Sequence, residues 1–234
     1  MTGPVLWCAA LIGALAGLTM PDAYVRIMTT LTAPNAQPSP SRHTHHRPHA
    51  SRPAQRTLDA LASGIAMAAA FTGMAWLLGD RPDGLLLVAT WATVLYAGTL
   101  LAAVDVATRR LPTPIIGIAT LAIGIILTAH ALATGQAHTL TTAALAGGAL
   151  GGGYLLLALI TTSQMGLGDV RLAVLLGTSL GVIGWPAVFL GAALPYALAV
   201  PEALTRLLLR RQPDIAFGPY MLAGAVFSAA LSSL

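Results

Sequence analysis

The chain has no lysine, one cysteine (Cys8), 6% aromatic residues and only 9% charged residues among its 234. Each scarcity excludes something. A single cysteine leaves no internal disulfide and no cysteine-based zinc cluster. So few charges beside 56% hydrophobic residues and a mean hydropathy of +0.76 cannot cover a soluble surface. Period-two alternation is missing too, and the apolar runs, rich in Ala, Leu and Gly, far exceed the ten or so residues of a barrel strand.

What is present is a series of apolar runs at residues 4–20, 58–79, 84–104, 114–133, 140–162, 170–183, 187–209 and 217–234. Most approach the roughly 20 residues that a helix needs to cross a bilayer. Helices satisfy their backbone amides internally, as lipid demands. The expected fold is therefore all-α: a polytopic transmembrane helix bundle of about eight spans. Pro195 and Pro201 are expected to kink the seventh, and Trp185-Pro186 to force a tight turn into it.

All 12 basic residues are arginine. With the N-terminus outside, Arg26, Arg42, Arg47, Arg52, Arg56, Arg109, Arg110, Arg171, Arg206, Arg210 and Arg211 fall in inner loops, and Arg81 alone lies outside. That asymmetry predicts the orientation. No charge precedes the first apolar run, so it is expected to stay as a helix and not act as a cleaved signal. Net charge +4 and pI 9.8 raise the question of nucleic acid. Because the arginines flank apolar helices, no nucleic-acid partner is expected, and lipid headgroups are their natural counterparts.

Three regions follow: 1–28, a first span and its exit; 29–57, a His/Arg/Pro-rich cytosolic loop whose composition cannot build a core; and 58–234, a seven-span core. His43, His45, His46 and His49 could ligate a transition metal, but nothing nearby frames them and the linker reading is favoured. His130 and His138 read as interfacial.

Eight acids make up the whole inventory. Asp22 and Asp59 border the long loop, with Asp59 suited to a first helical turn. Asp80 and Asp83 belong to an Asp-Arg-Pro-Asp turn. Glu202 lies four residues before Arg206, the spacing of a helical ion pair, and Asp214 neighbours Arg210 and Arg211. Asp105 and Asp169 have no such structural employment. Each ends an apolar run, where insertion of a carboxylate costs about 2.5 to 3.5 kcal/mol.

Two spans separate them, and two crossings return the chain to the face it left, so both acids lie on one side, the cytosolic one in this orientation. If the end of the third helix packs beside the start of the sixth, the two carboxylates approach, and like charges that close cannot both ionise. The pair then supplies a base and an acid at once, the arrangement of aspartic proteases. Gly166 and Gly168 before Asp169 would leave the backbone open to an extended peptide, although taken alone such glycines more often serve a helix entry or close helix packing.

The stretch Gly166-Leu167-Gly168-Asp169-Val170-Arg171-Leu172, with Gly177 further on, resembles the GxGDxKLxxxxG signature of type IV prepilin leader peptidases, the GxGD intramembrane aspartic proteases. Asp105 followed by Leu111-Pro112 is similar to that family's first-aspartate motif. Residues 13–26 resemble its first span, and Phe217-Gly218-Pro219-Tyr220 its late P-F-G-P segment.

The resemblance implies that Asp105 and Asp169 form the catalytic pair, that Gly166, Gly168, Arg171, Leu111 and Pro112 border the substrate, and that no metal takes part. It implies a prepilin or pseudopilin substrate, a bacterial plasma-membrane location and a cytosolic site. Thr113 stands where the family has Asn or Asp, and Arg171 where it has Lys. The loop lacks the paired cysteines associated in longer members with N-methylation, so neither that activity nor S-adenosylmethionine as a cofactor is implied. Asp22, Asp59 and Asp214 are the acids that could attract a basic leader. A small proton- or ion-coupled transporter and a non-catalytic pilus assembly factor are the alternatives.

Overall fold

The computed structural model describes residues 3–32, 53–81, 83–109, 111–160, 166–209 and 216–233. Among them are eight helices: α1 (Gly3–Thr32), α2 (Pro53–Leu78), α3 (Gly84–Thr108), α4 (Thr113–Thr134), α5 (Ala137–Ile160), α6 (Leu167–Ile183), α7 (Trp185–Leu208) and α8 (Gly218–Leu231). The protein is an all-α polytopic membrane bundle. In α1 to α5 and α7, length and apolarity suffice for a crossing. At 17 and 14 residues, α6 and α8 are shorter, about 26 and 21 Å.

Several boundaries differ from the sequence reading. Helix α1 runs through Pro21 to Thr32, and α2 begins at Pro53, a residue suited to a first helical turn because its missing N–H is not needed there. The expected loop over 29–57 is thus helical at both ends. Residues 33–52, with His43, His45, His46 and His49, lie outside the described residues, as do Arg110, Arg210, Arg211 and Asp214. Helix α6 starts at Leu167 rather than near 170, which places Asp169 within its first turn. Both Pro195 and Pro201 lie inside a continuous α7.

Large apolar side chains face outward on several helices, Trp7, Ile65, Ile118, Leu132 and Phe189 among them. Contiguous exposure of this kind fits lipid and not water. Inward, Trp91, Val94 and Leu101 of α3 pack in one core with Ile123 of α4, Leu175 and Leu180 of α6 and Met221 of α8. The packing is close where side chains are absent: a Cβ on Gly17 would stand 2.4 Å from the carbonyl oxygen of Ser63, and the Ser63 hydroxyl donates to the Gly17 carbonyl at 2.7 Å. Small residues let helices approach in this way where lipid supplies no hydrophobic drive between them.

Helix α3 packs against α2, α4, α6 and α8 and so occupies the centre of the bundle. Helix α5 lies along α6, and α7 along α8. The central position of α3 decides what surrounds Asp105.

Candidate active site

Asp105 sits in the last turn of α3 and is 6% exposed, the one buried acid among the described residues. A carboxylate there needs a donor, and the start of α8 supplies it: the Gly218 amide donates to Asp105 Oδ2 at 3.0 Å. A Cβ on Gly218 would stand 2.9 Å from the same oxygen, so the approach requires glycine. One turn on, Arg109 takes the left-handed conformation (φ 52°, ψ 33°), and its amide donates to the Asp105 carbonyl at 2.7 Å. This ends α3 directly after the acid, at a backbone cost that only a constrained site retains.

Asp169 is the third residue of α6. Its Oδ2 accepts the Gly166 amide at 3.2 Å, while the Asp169 amide donates back to the Gly166 carbonyl at 3.0 Å. An acid there also meets the positive end of the helix dipole. Gly168 is not open to solvent on its inner face: a Cβ would lie 2.8 Å from Cβ of Leu111. Leu111 therefore locks the α3–α4 connection onto the first turn of α6, and Pro112, in extended conformation, starts α4. The Arg171 guanidinium donates to Thr113 Oγ1 at 2.8 Å. These are the two positions at which the sequence departs from the leader-peptidase pattern, and they bond to each other.

The packing of α3 on α6 and of Leu111 on Gly168 brings the two acids to one end of the bundle, within electrostatic reach of each other. Among the described residues neither carboxylate has a cationic partner. No group of three or more His, Cys, Asp or Glu side chains that could hold a metal occurs among the described residues either.

Aromatic rings close the site. Tyr154 of α5, Tyr196 of α7 and Phe217 form a cluster, with centroid distances of 5.9 Å (Tyr154–Tyr196), 6.5 Å (Tyr154–Phe217) and 5.2 Å (Tyr196–Phe217). Such tilted contacts are the favourable aromatic geometry. Both phenols lie within electrostatic reach of Asp169.

Where α3 ends, a cavity of about 270 Å³ is lined by Val106 and Arg109 together with Glu202, Arg206, Pro219 and Tyr220. The ion pair read from the spacing of Glu202 and Arg206 is formed, with Nε to Oε1 at 2.8 Å. Glu202 does more than that spacing suggested, because Oε2 also accepts the Tyr220 hydroxyl and ties α7 to the first turn of α8.

Residues 92–200, which carry both aspartates and the Leu111-Pro112 step, match the model of the type IV leader peptidase family. This region belongs to that family. No curated protein and no solved structure matches the chain significantly. The match supports a peptidase in general, in a chain with several helices long and apolar enough to cross a membrane.

Sequence reasoning did not assign Gly218, Tyr154, Tyr196 or the Glu202–Tyr220 link to the site. The late Phe-Gly-Pro-Tyr run was the available signal for Gly218 and Tyr220. Nothing in the local sequence marks Tyr154 or Tyr196, whose place depends on helix packing alone. Of the acids considered for attracting a basic leader, Asp22 is exposed on α1, whereas Asp214 and the side chain of Asp59 lie outside the described residues.

Proposed function

We propose that the protein is a prepilin-type aspartic endopeptidase that uses Asp105 and Asp169 to cleave the basic leader of a type IV prepilin or pseudopilin. The observation that carries this reading is that two carboxylates without a cationic partner among the described residues, each accepting a glycine amide, stand at one end of the bundle where α3 ends and α6 begins. Water held between them attacks the scissile carbonyl carbon. The ionised aspartate takes the water proton, and the protonated one hydrogen-bonds the carbonyl oxygen. Collapse of the tetrahedral intermediate breaks the C–N bond, with a proton passing to the leaving amine. The chemistry needs no metal and no S-adenosylmethionine.

The arginine distribution supports a site at the cytosolic face of a bacterial plasma membrane. A scissile bond just ahead of the substrate's own membrane helix would lie at that depth. Pilus assembly and protein secretion are the processes that use such substrates. Co-expression with a prepilin tests the reading. A shorter product is expected, and it is expected to vanish with Asp105→Asn and with Asp169→Asn. An uncut prepilin with the wild-type chain, or cleavage surviving either substitution, refutes it.

A further inference from the structure

Tyr154 holds a polar atom that the proteolytic reading does not use. The residue is 4% exposed, and its hydroxyl is buried without a well-formed hydrogen bond among the described residues, although the Tyr196 hydroxyl is near enough to interact. A buried hydroxyl left unpaired costs about 1 to 3 kcal/mol, and each one in a native structure calls for an explanation, a catalytic role or a bound water among them. Its conservative removal would relieve that cost, so the hydroxyl needs a functional reason.

Helix register says where the hydroxyl points its influence. A Cβ on Gly147 would meet Thr178, and one on Gly151 would meet Val174, so each turn along α5 moves one turn back along α6. One further turn sets residues 154 and 155 level with 170 and 171, beside Asp169. Electrostatic contact between Tyr154 and Asp169 agrees with that placement. The Tyr154 ring is held by Tyr196 and Phe217, and Phe217 precedes the glycine whose amide binds Asp105. One aromatic wall therefore touches the surroundings of both acids.

Asp169 has the complementary deficit. Among the described residues only the Gly166 amide donates to its carboxylate. The groups facing it are Asp105 from α3, Tyr154 from α5 and Tyr196 from α7, while Arg171, on its own helix, donates to Thr113 of α4, and α8 presents the uncharged Phe217 and Gly218. A phenol whose one neighbour for its hydroxyl is the loosely placed Tyr196 thus stands beside a carboxylate that accepts a single amide.

We propose that Tyr154 is a positioning residue of the aspartate pair, its hydroxyl donating to the Asp169 carboxylate when substrate closes the site. Hydrogen bonds that are long or misaligned in a substrate-free site tighten in this way on closure. The bond orients Asp169 toward Asp105 and makes it the member that carries the negative charge, leaving the proton to Asp105. The inference rests on the proteolytic reading and adds to it a division of labour within the pair.

The test uses the full chain purified in detergent, a prepilin substrate, and kcat and KM measured across pH for the wild type, Tyr154→Phe and Tyr96→Phe. Tyr154→Phe keeps the ring and removes one oxygen. It is expected to lower kcat about tenfold, the worth of one hydrogen bond to a charged group, with KM within twofold. The acidic limb of the pH–rate profile is expected to move to higher pH, because Asp169 loses a donor that favours its ionised form. Tyr96→Phe removes a hydroxyl that meets Thr19 away from the two acids and is expected to change kcat less than threefold.

An unchanged kcat and pH profile in Tyr154→Phe overturns the proposal, as does a raised KM with kcat intact. If Tyr154→Phe does not fold, Tyr154→His, which retains a ring donor, is compared with Tyr154→Leu; equal losses overturn the proposal and a more active His variant supports it. Failure of the parent reading looks different. The wild-type chain would then leave prepilin uncut before any tyrosine is altered, and the proposal would fall with it.

Discussion

The two ends of the bundle treat their acids in opposite ways. Where α3 begins, Asp83 lies 3.3 Å from His130 Nε2, an ion-pair distance without hydrogen-bond geometry, and the neighbouring Arg81 donates to the Ser232 carbonyl at 2.8 Å. Where α3 ends, Asp105 and Asp169 each accept a backbone amide and lie within electrostatic reach of one another, with no cationic partner among the described residues. The first end sets a histidine beside an acid and an arginine on a backbone carbonyl to fasten helix ends. The second concentrates like charge and surrounds it with neutral dipoles, which hold a carboxylate in place without cancelling its reactivity. A membrane protein retains such an arrangement only where the charge is used.

The sharpest way to break the contrast is to give the reactive end the neutrality of the other. Asp105→Asn and Asp169→Asn each remove the shared proton, and cleavage on a gel is expected to fall by at least about 1,000-fold, below the level set by positioning alone. Gly218→Ala forces a Cβ against Asp105 Oδ2. Misplacing a reacting group by about 1 Å costs roughly 100-fold, so kcat is expected to fall by that order while the thermal midpoint moves only a few degrees. A kcat within threefold of wild type would show that the amide does not hold the acid.

Tyr220→Phe cuts the tie between α7 and the turn that carries Gly218. The expected result is a loss of about 1 kcal/mol in stability and a several-fold drop in kcat, read by thermal unfolding and by initial rates. Equal activity would separate that tie from the Asp105 amide. Asp83→Asn is expected to do least. The pair at the other end is partly exposed, so its loss costs at most about 1 kcal/mol, and cleavage is expected to stay within twofold. A large activity loss there would erase the distinction between the ends.

Much of this arrangement could be read along the chain. Apolar runs marked the helices, and the spacing of Asp105 and Asp169 across two crossings put both acids at one end. Helix starts were less legible. Leu167 and Gly168 join α6 because the Asp169 side chain bonds the Gly166 amide, and that bond depends on geometry within a single turn. The run through Pro21 in α1 went unread because a proline signals a break locally, while packing along α2 holds the helix together. Gly168 shows a similar reversal: its missing side chain makes room for Leu111.

By itself, the order of residues determined that this protein lives in lipid, that its chain is helical, and which two carboxylates lack an ordinary partner. Those properties follow from composition, run length and the parity of crossings, none of which needs a neighbour. Tertiary structure alone decided that Gly218, 113 residues after Asp105, supplies its hydrogen bond, that Arg171 reaches Thr113, and that Tyr154 and Tyr196 come within electrostatic reach of Asp169. Each of these depends on how helices rotate and slide against one another. In an apolar chain whose helices are greasy on every side, sequence pattern leaves that rotation almost unspecified, and close packing at small residues fixes it.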